Sequence, residues 1–194
     1  VQAAEKQEAE KLLTEEDLWP LIDQGRNVGL RKGKLVELGE KDVSPAGRKH
    51  GRIAAKIALK VGLFVDEHDL GSCFAAETGF IVERTPQTML APDFAFITKE
   101  RDAPQESGFG KVVPDFVAEV ISPRDTLEDI EEKVGDWLTA GVKLVWTANM
   151  KTKSITAYQQ RDGKIHASVF TEQDTIDGGE VFAGFTCAVA LFFK

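Results

Sequence analysis

The chain has 194 residues, 42% of them apolar and 29% charged, which is the composition of a globular protein of one or two domains. Its formal net charge of −8 argues against a protein that binds nucleic acid mainly through a basic surface, because such binding depends on phosphate neutralisation. Any nucleic-acid contact is therefore expected to be local.

The targeting and redox signals are sparse. The sequence has no run of about 18 uninterrupted apolar residues, and the opening VQAAEKQEAEKLL is charged rather than built like a signal peptide. We therefore expect no membrane association and a cytoplasmic location. Cys73 and Cys187 lie in apolar contexts without CxxC spacing, which favours buried thiols over a disulfide or a zinc site.

The N-terminal region predicts an extension followed by a helix. Residues 14–24 begin with Thr14 as a candidate N-cap followed by acidic residues, and Pro20 limits how far the helix continues. We expect residues 1–13 to be an N-terminal extension that forms a frayed helix. The domain itself is predicted to cover residues 14–194.

A hairpin and a long helix are predicted next. RKGKLVELG, residues 31–39, resembles a hairpin arm that turns at Gly33. Residues 47–65 show helical periodicity, with one apolar stripe formed by Ile53, Ile57 and Val61.

From about residue 72 the pattern changes to short strands around one helix. The apolar segments before the helix are CFAAETGFIV, APDFAFI and DFVAEVI. TLEDIEEKVGDWLTAG predicts a helix that ends at Gly141, with an apolar face of Leu127, Ile130, Val134, Trp137 and Leu138. The later strands are KLVWTAN, SITAYQQ and KIHASVF, the last two joined by a hairpin-like RDGK, and the tail ends in an apolar strand-like run. The pattern predicts one α/β domain with a mixed sheet.

Carboxylates occur inside two of these apolar strands. Side chains alternate along a strand, so Glu119 shares a face with Val117 while both faces remain largely apolar. An ionised carboxylate in that setting costs several kcal/mol unless a cation or a basic partner compensates it. Asp93 repeats the pattern in APDFAFI, and Glu77 in the preceding segment is a third acid and a candidate third metal ligand.

Two such acids on adjacent strands can supply oxygen ligands to a hard divalent cation such as Mg²⁺. Each acid taken singly also fits an ordinary strand-end, cap or salt-bridge residue. Asp125 and Glu128, in the loop after Glu119, have capping-box-like spacing. Lys133 lies beside Trp137 on a helical wheel, where its stem can bring an ammonium group to the acids or direct it to solvent.

The helix over residues 47–65 carries basic residues beside its apolar stripe. They can form a ridge that faces phosphate or an ordinary solvated face, and they are Lys49, Arg52, Lys56 and Lys60. His50 falls instead among the apolar residues, where it fits either a hydrogen-bonded core histidine or a residue that faces a site. Walker, GxGxxG, GxSxG and HExxH motifs are absent from the sequence.

At these residues the chain resembles the Uma family of putative restriction endonucleases, of the PD-(D/E)xK nuclease superfamily. The principal match is PDFVAEVISPRDTLEDIEEKVGDWLTAGVKLVW, residues 114–146. Weaker matches extend it to roughly positions 14 to 192, and they are KGKLVELG, SPAGRKHGRIAAKI, AETGFIV, APDFAFI and DTIDGGEVFAGFTCAVALFF. The order and spacing of these segments are more specific than any one of them.

The resemblance implies an α/β fold with a restriction-endonuclease-like core, in which helices flank a mixed central β-sheet. It implies Asp93 and Glu119 as ligands of Mg²⁺ (or Mn²⁺), with the Val120 carbonyl as a further ligand. It also implies Lys133 and His50 as catalytic residues, a DNA substrate and a homodimer.

Two positions depart from the family pattern. The superfamily's common lysine two residues after the second acid is Ile121 here, and Lys133 is its expected substitute. Gly29 stands where the family usually has a glutamate. The leading hypothesis is thus a metal-dependent endodeoxyribonuclease. The alternatives are an inactive module that binds nucleic acid or protein on the same fold, and a buried ion-pair network formed by Asp93, Glu119 and Lys133.

Overall fold

The N-terminal elements are a helix, a hairpin and a long helix. The structure, a computed structural model, describes residues 11–37, 47–102, 104 and 108–194. The first elements are α1 (Glu15–Asp23), β1 (Val28–Arg31), β2 (Lys34–Glu37) and α2 (Arg48–Glu67). Thr14 and Asp17 form a capping box at the start of α1, as the predicted N-cap requires. Most of the predicted frayed extension lies outside the described residues.

The remaining elements are mostly strands. They are β3 (Gly71–Ala75), β4 (Phe80–Arg84), β5 (Gln87–Leu90), β6 (Phe94–Thr98), β7 (Phe116–Ile121), α3 (Leu127–Ala140), β8 (Leu144–Asn149), β9 (Ser154–Arg161), β10 (Lys164–Phe170), β11 (Thr175–Gly178), β12 (Phe182–Ala188) and α4 (Ala190–Phe193). Gly141 ends α3 in the left-handed conformation with φ +103°, as predicted. In the described part of the chain, no helix is long and apolar enough to cross a membrane.

A six-stranded mixed sheet forms the centre, in the order β10-β9-β8-β7-β6-β3. The pair β7 and β8 is parallel, with α3 as the crossover between them, and the other neighbours are antiparallel. Among the described residues, three two-stranded ribbons accompany this sheet: β1-β2, β4-β5 and β11-β12. The predicted α/β class with a mixed central sheet is confirmed.

The sheet separates two apolar clusters. On one face, α2 packs its predicted stripe against Phe94, Phe116 and Ala118. On the other face, Trp137 of α3 packs with the residues of β6 and β7 that alternate with these, among them Val117. The predicted alternation of side chains along β6 and β7 is therefore confirmed. It leaves Glu119 on the α3 side.

Four local predictions were wrong. CFAAETGFIV is not one strand, because it turns after Ala75 and resumes as β4. The C-terminal run ends in the short helix α4 instead of continuing as a strand. The α3 capping box is formed by Thr126 and Asp129, one position after the predicted pair. Leu127 is 70% exposed, because it lies at the first turn of α3, before the helix reaches the sheet.

Candidate active site

The two predicted acids lie opposite each other at the end of β6. Phe94 pairs with Ala118, so the antiparallel register places Asp93 opposite Glu119, one position beyond the last pair. The Asp93 Oδ2 atom accepts a hydrogen bond of 2.7 Å from the Val120 N–H. Because β6 begins only at Phe94, the Asp93 side chain supplies the hydrogen-bond acceptor that a backbone carbonyl of a paired strand would otherwise supply to Val120. This bond ties one acid to the strand that carries the other.

His50 approaches Asp93 from the first turn of α2. Its Nε2 atom lies 3.4 Å from the same Oδ2 atom of Asp93. The hydrogen bond to Asp93 raises the pKa of His50, while burial opposes the rise and the Val120 carbonyl adds to it. Among the alternatives for His50, the structure therefore supports a residue that faces the acids.

Glu119 lies between two residues of α3. Its Oε1 atom accepts a hydrogen bond of 3.0 Å from Trp137 Nε1, and Lys133 Nζ lies 3.6 Å from Oε2. Burial raises the pKa of Glu119, and the neighbouring Asp93 raises it further, whereas Lys133 and Trp137 lower it. The net rise means that the two partners do not fully offset the cost of burying this charge.

A small cavity of about 20 Å³ borders this arrangement. It is lined by residues that include Glu119, Val120, Lys133 and Thr147. A volume of this size is about that of one water molecule. A water here would lie beside both the carboxylate and the ammonium group.

The donor set fits a hard divalent cation. The contacts of Asp93 with Val120 and His50 both use Oδ2. The N–H and C=O of Val120 face the same edge of β7, beyond the start of β6. Two carboxylates and one carbonyl, completed by water, make a chemically suitable set of oxygens for Mg²⁺ or Mn²⁺. Within the described ranges, no three His, Cys, Asp or Glu side chains are grouped closely enough to hold a metal ion, so carbonyl and water oxygens would have to complete the set.

The remaining residues that the sequence singled out lie in a turn, on α2 and in two strands. Glu77 is in the exposed turn after β3, with a left-handed φ of +71°. Lys49 and Arg52 are exposed and Lys56 is half-buried on α2, the helix that carries His50. Gly29 lies in β1, paired with Val36, and Ile121 lines the small cavity.

Sequence reasoning missed the polar contacts of two residues, Trp137 and Asp115. Trp137 was counted only as an apolar residue of α3, but its indole N–H also holds Glu119. Asp115, immediately before β7, is fully buried, with Arg101 Nη1 at 2.6 Å and Lys143 Nζ at 2.8 Å from its Oδ1 atom. The Pro-Asp pair at 114–115 could have been recognised as a buried anchor, because Asp115 shares the strand face of Glu119.

Comparison with known proteins places the chain in a family. Residues 16–190 match the profile of Uma2, described as "Putative restriction endonuclease". The chain belongs to the Uma2 family. The match runs from the second residue of α1 to the first residue of α4 and includes Asp93, Glu119, Lys133 and His50. No protein of the curated collection matches the chain.

A solved structure shares the Uma2 chain's fold. It is described as a "putative nuclease belonging to DUF820" and comes from Anabaena variabilis. The two chains superpose with a TM-score of 0.70 at 15% sequence identity, over 86% of this chain and 89% of the other. At this identity the similarity establishes the fold alone.

Proposed function

We propose that this Uma2 chain is a metal-dependent endonuclease that hydrolyses phosphodiester bonds in DNA. The observation that carries the proposal is the meeting of Asp93 and Glu119 at adjacent strand ends, with Lys133 Nζ 3.6 Å from Glu119. The burial of Glu119 in the sheet costs stability, as its raised pKa indicates. A catalytic requirement would account for its presence.

Asp93, Glu119 and the Val120 carbonyl would hold Mg²⁺ or Mn²⁺. A divalent cation at such a site polarises the scissile phosphate and lowers the pKa of a bound water. Lys133 would orient the attacking water beside Glu119 and stabilise the negative charge that develops on the phosphate. Trp137 fixes the position of the Glu119 carboxylate through its N–H. Glu77 stays a predicted further ligand.

His50 and its helix would act on the substrate. The contact with Asp93 favours the protonated form of His50, and His50 would supply a proton from Nε2 to the leaving oxygen. Lys49, Arg52 and Lys56, on the same helix, would contact the phosphates on either side. A homodimer would bring two sites to the two strands of a duplex, and a cytoplasmic enzyme would have access to DNA.

Two positions favour a second candidate, a catalytically inactive module that binds nucleic acid or protein. Gly29 and Ile121 both lack the side chain that the family or superfamily commonly has there. If the lost glutamate and lysine are required, the remaining residues bind a cation without cutting.

Metal titration and cleavage on the same samples separate the candidates. Calorimetry of Mn²⁺ and Mg²⁺ binding should show one site in the wild type, and Asp93→Ala and Glu119→Ala should each abolish it. Glu128→Ala, which removes an exposed acid from α3, is the matched control and should bind normally. Nicking of plasmid DNA that Lys133→Met abolishes while metal binding persists would establish the nuclease. Metal binding without cleavage would favour the inactive module, and folded protein that binds no metal would refute both roles for the acids.

A further inference from the structure

Strand β10 is an edge strand with almost no cover. Residues 164–169 are all exposed, and only Phe170 at its end is half-buried. Two large apolar side chains project from it, with Ile165 55% and Val169 64% exposed. A seven-residue strand with both faces exposed gains little from the core of its own chain.

This edge lacks the features that usually prevent sheets from joining. Edge strands are commonly protected by proline, by bulges or by charged residues along the strand. The sequence KIHASVF contains no proline and has one charged residue, Lys164, at its first position. The register with β9 runs from Lys164 to Phe170 without a shift. The outer edge is therefore open to another strand.

The hairpin turn determines which backbone groups face outward. Asp162 and Gly163 both have positive φ, which is typical of the two-residue turn that makes Arg161 and Lys164 a hydrogen-bonded pair. Because hydrogen-bonded and non-hydrogen-bonded pairs alternate, Ile165, Ala167 and Val169 direct their N–H and C=O groups away from β9. Within the described chain, no other segment pairs with this edge of β10.

We propose that β10 pairs antiparallel with β10 of a second copy of this chain, in a register centred on Ala167. Ala167 would then exchange two hydrogen bonds with the partner's Ala167. Ile165 would do the same with the partner's Val169, and Val169 with the partner's Ile165. The central sheets of the two copies become continuous across the two-fold axis.

The side chains suit this self-pairing. Ile165, Ala167 and Val169 lie on one face of the strand, so the joint carries an unbroken apolar strip across both copies. On the other face, His166 lies opposite the partner's Ser168, and Lys164 opposite the partner's Phe170. The register places no like charges directly opposite each other, and this symmetry favours a second copy over an unrelated peptide.

The size of the edge sets the strength of the dimer. One seven-residue strand edge is smaller than the roughly 800 Å² per partner of a standard interface. The dimer is therefore expected to dissociate on dilution. The inference deepens the proposed homodimer by naming its interface, but it does not depend on nuclease activity, because β8 and β9 separate β10 from the strand that carries Glu119.

A charge-swap pair of variants tests the register. Ile165→Lys with Val169→Lys places lysine opposite lysine twice in the dimer, and should weaken association roughly a hundredfold. Ile165→Lys with Val169→Glu loses the same apolar area but places lysine opposite glutamate, and should retain a dimer that salt weakens. The masses are measured by sedimentation equilibrium over a range of concentrations.

Proper folding of each variant is checked by circular dichroism and thermal unfolding. Ala167→Pro gives a second route, since it removes an outward N–H and leaves the bonds to β9 in place, and it should also yield monomer. A monomeric wild type at all concentrations would overturn the inference. So would a dimer that tolerates the lysine pair as well as the lysine–glutamate pair, since that dimer would use another surface. Loss or absence of DNA cleavage leaves this inference unaffected.

Discussion

Replacing Glu119 with glutamine tests whether the sheet carries this acid at a cost to stability. Glutamine keeps the length of the side chain and an oxygen that can accept the Trp137 N–H, and it removes the charge. The Glu119 side chain is 12% exposed, and burial is the largest influence that raises its pKa. Uncharging this position should therefore stabilise the fold at neutral pH.

The expected change in the free energy of unfolding for Glu119→Gln follows from opposing contributions. The effective penalty for burying a carboxylate is several kcal/mol. A hydrogen bond to a charged acceptor contributes about 1.5–3 kcal/mol of stability, and the neutral amide of glutamine keeps part of this contribution. The ion pair with Lys133, whose side chain is 46% exposed, returns only about 0.2–1 kcal/mol. The balance predicts a gain of about 1–2 kcal/mol for Glu119→Gln, or a Tm rise of about 2–8 °C for a chain of this size.

The pH dependence has a defined sign. Because the folded pKa of Glu119 lies above the unfolded one, its contribution to stability is greatest below the unfolded pKa and declines as pH rises through the folded pKa. Glutamine does not titrate. The advantage of Glu119→Gln should therefore be present at neutral pH and vanish in acid, once the wild-type carboxyl is protonated in both states.

Urea unfolding in metal-free buffer measures this difference across the pH range. Glu128→Gln on the exposed side of α3 is the control, and its stability should match the wild type within about 0.5 kcal/mol. A Glu119→Gln variant that is less stable than the wild type at neutral pH would refute the reasoning. Asp93, Glu119 and Lys133 would then be a stabilising ion-pair network.

Three further outcomes are expected. Asp115→Asn should lower the free energy of unfolding by about 2 kcal/mol at neutral pH. Burial raises the pKa of Asp115, but Lys143, the Thr98 N–H and Arg101 together hold this pKa below its usual value. The stability that the charged Asp115 contributes is therefore present above the unfolded pKa and is lost as pH falls through the folded pKa. An unfolding difference that does not shrink in acid would contradict this. Gly71→Ala should lower the free energy of unfolding by about 2–4 kcal/mol, measured in urea, because the φ of Gly71 is +147° and an added Cβ would lie 2.1 Å from the Ile97 carbonyl oxygen. An unchanged stability would mean that the turn before β3 shifts freely. Thr126→Ala should lower the stability by about 1 kcal/mol and so lower the Tm, because the Thr126 Oγ1 atom accepts a hydrogen bond from the Asp129 N–H at the start of α3. An unchanged Tm would show that this cap does not stabilise the fold.

The regular parts of the fold could be predicted from local patterns. The stripe of Ile53, Ile57 and Val61 predicts α2, and each of these residues is buried as expected. The alternation in DFVAEVI places Glu119 on the face that α3 covers. These predictions succeed because side-chain period and burial are local properties of a helix or a strand.

The rest depends on contacts between distant segments. Nothing local predicts that Asp93 completes the pairing of β7 through Val120, because that bond depends on where β6 begins. The break after Ala75 was missed because Glu77 adopts a left-handed φ that glutamate rarely takes. Trp137 was assigned to the apolar face of α3 by its helical spacing, so the polar contact of its indole N–H with Glu119 was not considered.

The crossover that joins β7 to β8 through α3 has a consequence for how the site is assembled. Glu119, Lys133 and Trp137 all lie within this one contiguous unit, so their mutual contacts close only short loops of chain. Asp93 and His50 come from segments far earlier in the sequence and must close much longer loops. A partly folded chain would therefore hold half of the site without the other half. Hydrolytic chemistry would begin only when the last long-range contacts form, and a destabilised chain would lose activity before it loses its local structure.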